Sequence, residues 1–482
     1  MLNLKKNNSF VGGTLWTTSS FIVVSLVYIL RIAVLTRYLD KDSFGLVAIV
    51  LFVLGFTNIF ADLGVSTSLL SQSEISKKEY SSLYWGSFGL SIILYVVIAC
   101  SSPIFAMVYE QEIFNILIPV MGIDLIVASI GRQFAVFKQK QLKFKQLAII
   151  KIVSEVVSMA VAIALAINGF GIWSLVVSLL TTSAMNSLLN IALGYKDHPL
   201  IWYFSYKETK HLYRIGFYQT GAQVLDYISS QIDILILGKL LPMSDMGVYS
   251  VIKNLVLRVY VSINQIVTKV AVPLFSKLYN DQELFKSKYL KVVSVLTAIK
   301  CFINFVMIIT AEEILEVFYG KSYLQYGSIL AILCIWGVFS SILNCISVII
   351  VLSTGRTDLG FKWTQYRLIL NPVFIVIGAF MGGIIGVAIS QAVYSILTIF
   401  FYREVVIKKI IHDITSAELF KSIYKPLVIC ILCFPLLLVF NSWLKGFSVN
   451  PYINISINMF LSLIVFTFLL GKQMKMKIKA LK

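Results

Sequence analysis

The chain has 482 residues, 58% of them hydrophobic and only 13% charged, yet its formal net charge is +18. A surplus of that size would fit a nucleic-acid-binding surface. Here it is spread over eight short segments between long apolar runs, which excludes that partner class and any sizeable soluble domain.

Fourteen apolar segments are each long enough for a helix to cross a bilayer core about 30 Å thick, for which about 20 residues suffice. In chain order they are 10–36, 44–70, 81–108, 113–137, 146–168, 171–194, 214–238, 246–274, 288–310, 325–352, 361–381, 383–402, 424–441 and 451–471. The runs are continuous rather than alternating, so helices are expected and not barrel strands, because lipid offers unpaired backbone groups no partner. The expected fold is an all-α, polytopic membrane protein.

The loops give these helices a direction. The termini and alternate loops, together with the segment ends next to them, hold 28 of the 41 Lys and Arg residues, and the opposite loops hold five, Arg37, Lys41, Lys239, Lys321 and Lys445. The positive-inside rule then places both termini in the cytoplasm. The basic loop with Lys138, Lys140, Lys143 and Lys145 and the tail at 472–482 weigh most, against acidic outer loops at Glu110 and Glu112 and at Glu312, Glu313 and Glu316. Lys5 and Lys6 precede an apolar run too long for a signal-peptide core, so the first helix is expected to stay uncleaved.

The loops are too short to fold alone. Cys100, Cys301, Cys334, Cys345, Cys430 and Cys433 all fall in apolar segments, where a disulfide or a zinc site is not expected and the C-x-x-C reads as small core residues. Gly320-Lys321-Ser322 lacks the glycine of a phosphate loop, since position 315 is Leu315. His198, His211 and His412 lie in loops. Neither a catalytic apparatus, a cofactor nor a metal is expected, and any driving force must come from a gradient or the membrane potential.

The first and second segments resemble the seventh and eighth. Leu35-Thr36-Arg37-Tyr38-Leu39 through Phe44-Gly45-Leu46 aligns with Leu237-Gly238-Lys239-Leu240-Leu241 through Met246-Gly247-Val248, at an offset of 202. Leu142-Lys143-Phe144-Lys145 matches Leu359-Gly360-Phe361-Lys362, and Gly171-Ile172 matches Gly386-Val387. Two six-helix repeats follow, 1–194 and 214–402, joined by a linker at 195–213, with 403–482 added as two extra helices and a basic tail. Six is even, so both repeats enter from the same side and should be related by an axis along the membrane normal.

Ionisable groups inside the segments cost several kcal/mol unless they are paired or wet. Arg31 lies in the first and Asn58, Asp62 and Ser66 line one face of the second. Gln219, Gln223, Asp226, Ser230 and Asp233 form a polar stripe on the seventh, and Asn254, Arg258, Gln265 and Lys269 form one on the eighth, with Lys253 beside it. The expected substrate cavity comprises Arg31, Lys253, Arg258, Arg367, Lys300, Gln223 and Asn254. Asp62, Asp124, Asp226 and Asp233 are candidates for ion coupling or charge pairing. The repeat offset sets Arg31 opposite Asp233 as a pair, while Lys151 and Glu155, four apart, suggest a local one. Arg132, Lys151 and Lys269, near segment ends, are expected to snorkel.

These residues resemble a known family. The opening helix ending in Leu35-Thr36-Arg37-Tyr38-Leu39 and Phe44-Gly45, Phe144-Lys145 after a basic loop, and Gly169-Phe170-Gly171-Ile172-Trp173-Ser174-Leu175-Val176 are similar to bacterial polysaccharide (O-antigen) flippases. Gly355-Arg356 with Asp358-Leu359 resembles their lipopolysaccharide-exporter branch, within the multidrug/oligosaccharidyl-lipid/polysaccharide exporter superfamily. The resemblance covers roughly residues 10–440. It implies two six-helix lobes around a cationic cavity in the bacterial inner membrane. It also implies alternating-access flipping of a polyprenyl-diphosphate-linked oligosaccharide among membrane lipids and other polysaccharide-assembly proteins such as a polymerase and a chain-length regulator. Alternatives are a multidrug cation exporter or peptidoglycan-precursor flippase of the same superfamily and, from another class, a membrane-embedded glycosyltransferase or polymerase. Aromatic side chains in the segments, Trp16, Tyr28, Tyr218, Tyr227 and Tyr260 among them, would stack on sugars or simply pack.

Overall fold

The computed structural model describes residues 2–72, 75–411, 414–446 and 450–479. The side chains of Tyr218, Gln219, His412, Cys430 and Cys433 and of the tail at 472–482 lie outside what is described. Among the described residues every regular element is helical: α1 (Leu2–Leu35), α2 (Lys41–Asp62), α3 (Val65–Ser71), α4 (Lys77–Tyr109), α5 (Phe114–Lys140), α6 (Phe144–Ile167), α7 (Ile172–Ala192), α8 (Tyr206–Leu240), α9 (Met243–Leu278), α10 (Gln282–Ile309), α11 (Ala311–Tyr319), α12 (Gly327–Thr354), α13 (Thr357–Tyr402), α14 (Lys408–Ile410), α15 (Ser416–Gly446) and α16 (Pro451–Lys479). The chain is an all-α, multi-pass membrane protein.

Each apolar segment lies within these helices, with two refinements. The second is broken where Leu63 and Gly64 both take left-handed backbone, at φ 41° and 64°, which ends α2 and starts α3. The eleventh and twelfth run together as α13, which bends at Gly382 and Gly383, the latter at φ 54°, a conformation only glycine takes without strain. Among the described residues ten helical stretches are long and apolar enough to cross a membrane, Thr357–Ile410 covering two of the expected segments as one. The helix α8 is not among the ten, because the stripe of polar residues that marks it dilutes its apolarity.

The chain divides into two compact units, Met1–Ser250 and Val251–Lys482. In the first unit α4 packs on α5, α6 on α7, α1 along α6, and α2 against α5 and α8. Helix ends are fixed locally, as at Ser76, whose hydroxyl accepts from the Glu79 N–H while the Glu79 carboxylate accepts from the Ser76 N–H. Gly45 and Gly247, matched by the repeat alignment, pack reciprocally. A Cβ on Gly45 would stand 2.3 Å from the Met243 carbonyl oxygen, and one on Gly247 would stand 1.9 Å from that of Lys41.

In the second unit α10 is central, touching α12, α15 and α16, while α12 packs on α13 and α11 on α16. Phe275, Phe285, Tyr289 and Tyr402 are fully buried in its apolar core. A carboxylate is enclosed near the α11 end. Glu313 accepts from Asn454 at 2.9 Å and from Asn441 at 3.4 Å, and Asn458 donates to both asparagines. Side-chain amides are the usual means of holding polar helices together where water is absent.

Candidate functional site

A cavity of about 480 Å³ opens in the first unit between α2, α5 and α7. Asn58 of α2, Asp124 and Arg132 of α5, and Thr182, Ser183, Asn186, Ser187 and Asn190 of α7 give it polar walls, and Leu51, Leu54, Met121 and Val176 supply apolar ones. Two glycines let its walls pack closely. Gly131 lets α5 approach α7 so closely that a Cβ there would meet the Ser187 Cα at 2.4 Å, and Gly55 lies under the Tyr227 hydroxyl.

The polar walls are wired to one another. Asn58 bridges the two charged residues: its Oδ1 accepts from Arg132 Nη2 at 2.8 Å, and its amide bonds to Asp124. The Ser183 hydroxyl also bonds to Asp124. Arg132 Nη1 is buried without a hydrogen-bond partner. Asp62 stands close enough to act on Arg132 electrostatically and accepts from the Ser66 hydroxyl at 2.6 Å. Ser187 donates to the Val127 carbonyl and Asn190 to Asn186, so part of the α7 stripe is already engaged.

Of the eleven candidate residues, the structure brings Asp124 to this cavity. Arg31 lies behind its wall, 2% exposed. Its guanidinium is paired with Glu155 at 3.1 Å, donates to Ser158 at 2.5 Å and to Thr182 at 3.4 Å, and lies over the Tyr28 ring. The expected pairing of Arg31 with Asp233 is therefore corrected: α1 packs along α6, and that contact supplies Glu155. The same contact overturns the local Lys151–Glu155 pair, because Glu155 turns inward and Lys151 is exposed. Asp233 is 3% exposed and accepts from the Tyr249 hydroxyl at 2.8 Å. Gln223 and Asp226 are exposed on α8, with Ser230 on the same open face.

In the second unit Lys253 is buried with its ammonium 5.8 Å from the centre of the Trp336 ring, a cation–π geometry. Asn254 is exposed, Arg258 is half-buried, and Arg367 stands close enough to Tyr394 to act on it electrostatically. Lys300 has no exposed surface and donates to Asn264 Oδ1 at 2.7 Å. In this conformation it lies in packing and not at an opening.

Arg132 and the α7 residues were not among the candidates. Thr182, Ser183, Asn186, Ser187 and Asn190 recur at helical spacing, a readable signal of a polar face. Arg132, expected to snorkel, instead turns into the cavity, held by Asn58. Among the described residues no cluster of His, Cys, Asp and Glu has the makings of a metal site.

Comparison with known proteins agrees with this architecture. A family of polysaccharide biosynthesis proteins matches residues 34–328. The lipopolysaccharide biosynthesis protein WzxC of Escherichia coli (strain K12) is 24% identical over 83% of this chain and 81% of its own length. The teichuronic acid biosynthesis protein TuaB of Bacillus subtilis (strain 168) is 24% identical over 87% of this chain and 86% of its own. In fold, the chain is similar to the lipid II flippase MurJ in an inward closed conformation, with a TM-score of 0.72 at 16% identity over 96% of this chain and 99% of that one. The inward-facing conformation of a multidrug resistance MATE family transporter of the MOP superfamily gives 0.62 at 15% identity, over 82% of this chain and 99% of that one.

Proposed function

This chain belongs to the polysaccharide biosynthesis protein family, and from that premise we propose that it flips a polyprenyl-diphosphate-linked oligosaccharide across the bacterial inner membrane by alternating access. Relatives named for lipopolysaccharide and teichuronic acid biosynthesis support the substrate class. The fold shared with a lipid II flippase supports the architecture. A sugar headgroup with a diphosphate cannot enter hydrocarbon without losing its water, so a polar path must replace that hydration while the polyprenyl tail stays in lipid.

One observation carries this reading. In α8, Gln223, Asp226 and Ser230 are exposed on a helix that lies in a membrane protein. Polar side chains are not left facing lipid, so this face borders a water-filled chamber. Arg258, half-buried on α9 of the second unit, is the cation we assign to the diphosphate. We take the repeat to mark two six-helix lobes that alternate between inward and outward access, with 403–482 as an addition. The reciprocal packing of Gly45 and Gly247, one from each repeat, supports that symmetry. Both termini lie in the cytoplasm, and the protein carries out no covalent chemistry.

Deleting the gene in its host and separating lipid-linked intermediates by leaflet tests the function. Accumulation of the intermediate on the cytoplasmic leaflet, with loss of surface polymer, is expected. Unchanged polymer output would refute the reading. Arg258→Ala should lower polymer output at least about tenfold, the effect of losing one charge-assisted contact, while leaving protein abundance unchanged.

A further inference from the structure

The chain that joins α7 to α8 is not helical between Pro199 and Ser205, yet hydrogen bonds pin it as a strap along the first two turns of α4. The Ile201 N–H donates to Ser81 Oγ at 3.1 Å, the Ser205 N–H to Ser82 Oγ at 3.0 Å, and Trp85 Nε1 to the Ile201 carbonyl at 3.0 Å. Both serines are buried under it. With its backbone engaged inward, the strap turns large side chains outward. Trp202 is 86% exposed and Phe204 59%, and Tyr206 on the first turn of α8 is 57% exposed. The Trp202 ring stands 4.1 Å from that of Trp85.

Depth decides what these side chains meet. The apolar segment within α4 begins at Ser81, and Trp85, four residues on, is about 6 Å further along the helix axis. Trp202 therefore lies where hydrocarbon gives way to headgroups, the level that Trp and Tyr favour. Lysines fringe the same strap. Lys77 and Lys78 on the first turn of α4, Lys196 ahead of the strap, and Lys207 and Lys210 on α8 are all exposed. The carboxylates among them are engaged within the protein: Glu79 in the helix cap at Ser76, Asp197 with Lys143 at 2.7 Å, and Glu208 with the Tyr203 hydroxyl at 2.8 Å. Lys78 Nζ lies 5.4 Å from the centre of the Tyr203 ring, which sets positive charge directly beside the aromatic side chains. A cationic, aromatic rim at headgroup level complements anionic phospholipid. We propose that residues 199–206 are a lipid anchor seated in the headgroup layer of the leaflet assigned above to the cytoplasmic side, and that Lys78, Lys207 and Lys210 select anionic phospholipid there. This anchor goes beyond the flippase reading and takes from it only the choice of leaflet.

Fluorescence quenching tests it. On a background lacking the six native cysteines, Trp202→Cys and Phe204→Cys each carry a nitrobenzoxadiazole label in the full chain, reconstituted into phosphatidylcholine nanodiscs. Phosphatidylcholine bearing a doxyl group near its headgroup should quench the label at both positions, and aqueous iodide should quench it weakly. At equal mole fraction, doxyl-phosphatidylglycerol should quench as though enriched at least about fivefold over doxyl-phosphatidylcholine, the attraction of one lysine to an anionic surface. That preference should shrink in concentrated salt. It should vanish when Lys78→Gln, Lys207→Gln and Lys210→Gln are combined, with quenching by doxyl-phosphatidylcholine unchanged. Strong iodide quenching would place the strap in water, and shielding from both quenchers would place it against protein. Equal quenching by the two lipids would remove the selection by charge. Each of these three results would overturn the proposal. Polymer output plays no part in the quenching, so loss of the anchor and loss of the flippase reading are told apart: normal polymer after gene deletion would leave lipid contact at 202 and 204 as measured.

Discussion

Two cations are buried in the two units and meet opposite surroundings. Arg31 is 2% exposed and faces a carboxylate, Glu155, at 3.1 Å, with two hydroxyls and an aromatic ring beside it. Lys300 has no exposed surface, and its ammonium meets an amide oxygen, Asn264 Oδ1, at 2.7 Å. Among the described residues of its unit no carboxylate stands within ion-pair reach of it. Asn304 caps the Lys300 carbonyl from within α10, and the Tyr260 hydroxyl bonds to Asn304 in turn. The difference teaches that a buried charge is not one kind of feature. The arginine is held by a partner whose loss would strand it, whereas the lysine bears most of its desolvation without an opposite charge to offset it.

That contrast can be broken or sharpened by substitution, with unfolding followed in detergent. Glu155→Ala should destabilise the protein most, by about 3–5 kcal/mol, the usual cost of stranding one member of a buried pair. A loss under about 1 kcal/mol would mean that the hydroxyls of Ser158 and Thr182 suffice and that the carboxylate is dispensable. Asn264→Leu should cost about 1–3 kcal/mol by leaving the ammonium without its acceptor. The same change made on top of Lys300→Met should cost markedly less, and a double-mutant cycle measures that coupling.

Lys300→Met alone should change stability by less than about 1 kcal/mol or raise it, because a flexible apolar chain of similar length fills the site without a charge to desolvate. A penalty matching that of Glu155→Ala would erase the distinction between the two cations. The smallest effect is expected outside the membrane. Glu418 is held at a pKa of about 2 by the Thr415 N–H first and by Lys286 beside it. Because the folded value is depressed, its contribution is present above the unfolded value of about 4.3 and fades as pH falls towards about 2. Glu418→Gln should remove that acid limb and a few tenths of a kcal/mol at neutral pH, since solvent screens an exposed pair.

The helices themselves were legible because membrane thickness fixes their length and lipid forbids any other backbone state. Asp124 was legible as a carboxylate too deep to ignore, but its surroundings were not. Its neighbours Ser183 and Asn58 come from α7 and α2, and hydroxyls and amides occur on many helices that do nothing with them. Arg132 stood close enough to a segment end to be assigned to snorkelling, and only its bond to Asn58 decides otherwise. The repeat offset suggested Asp233 for Arg31, yet a matched position in a repeat does not say which helices touch.

The amino-acid order alone determined that this chain lies in a membrane as a series of helices, where the polar residues interrupt them, and which family they resemble. Hydropathy and helical period act within about 20 neighbouring residues, so one dimension contains them. Tertiary packing alone decided that Arg31 would meet Glu155, that Lys300 would meet an amide, and that α2, α5 and α7 would leave a polar hollow between them. Hydrogen bonds and ion pairs act over about 3–4 Å, and which groups come that close depends on how helices far apart in the chain lie against one another.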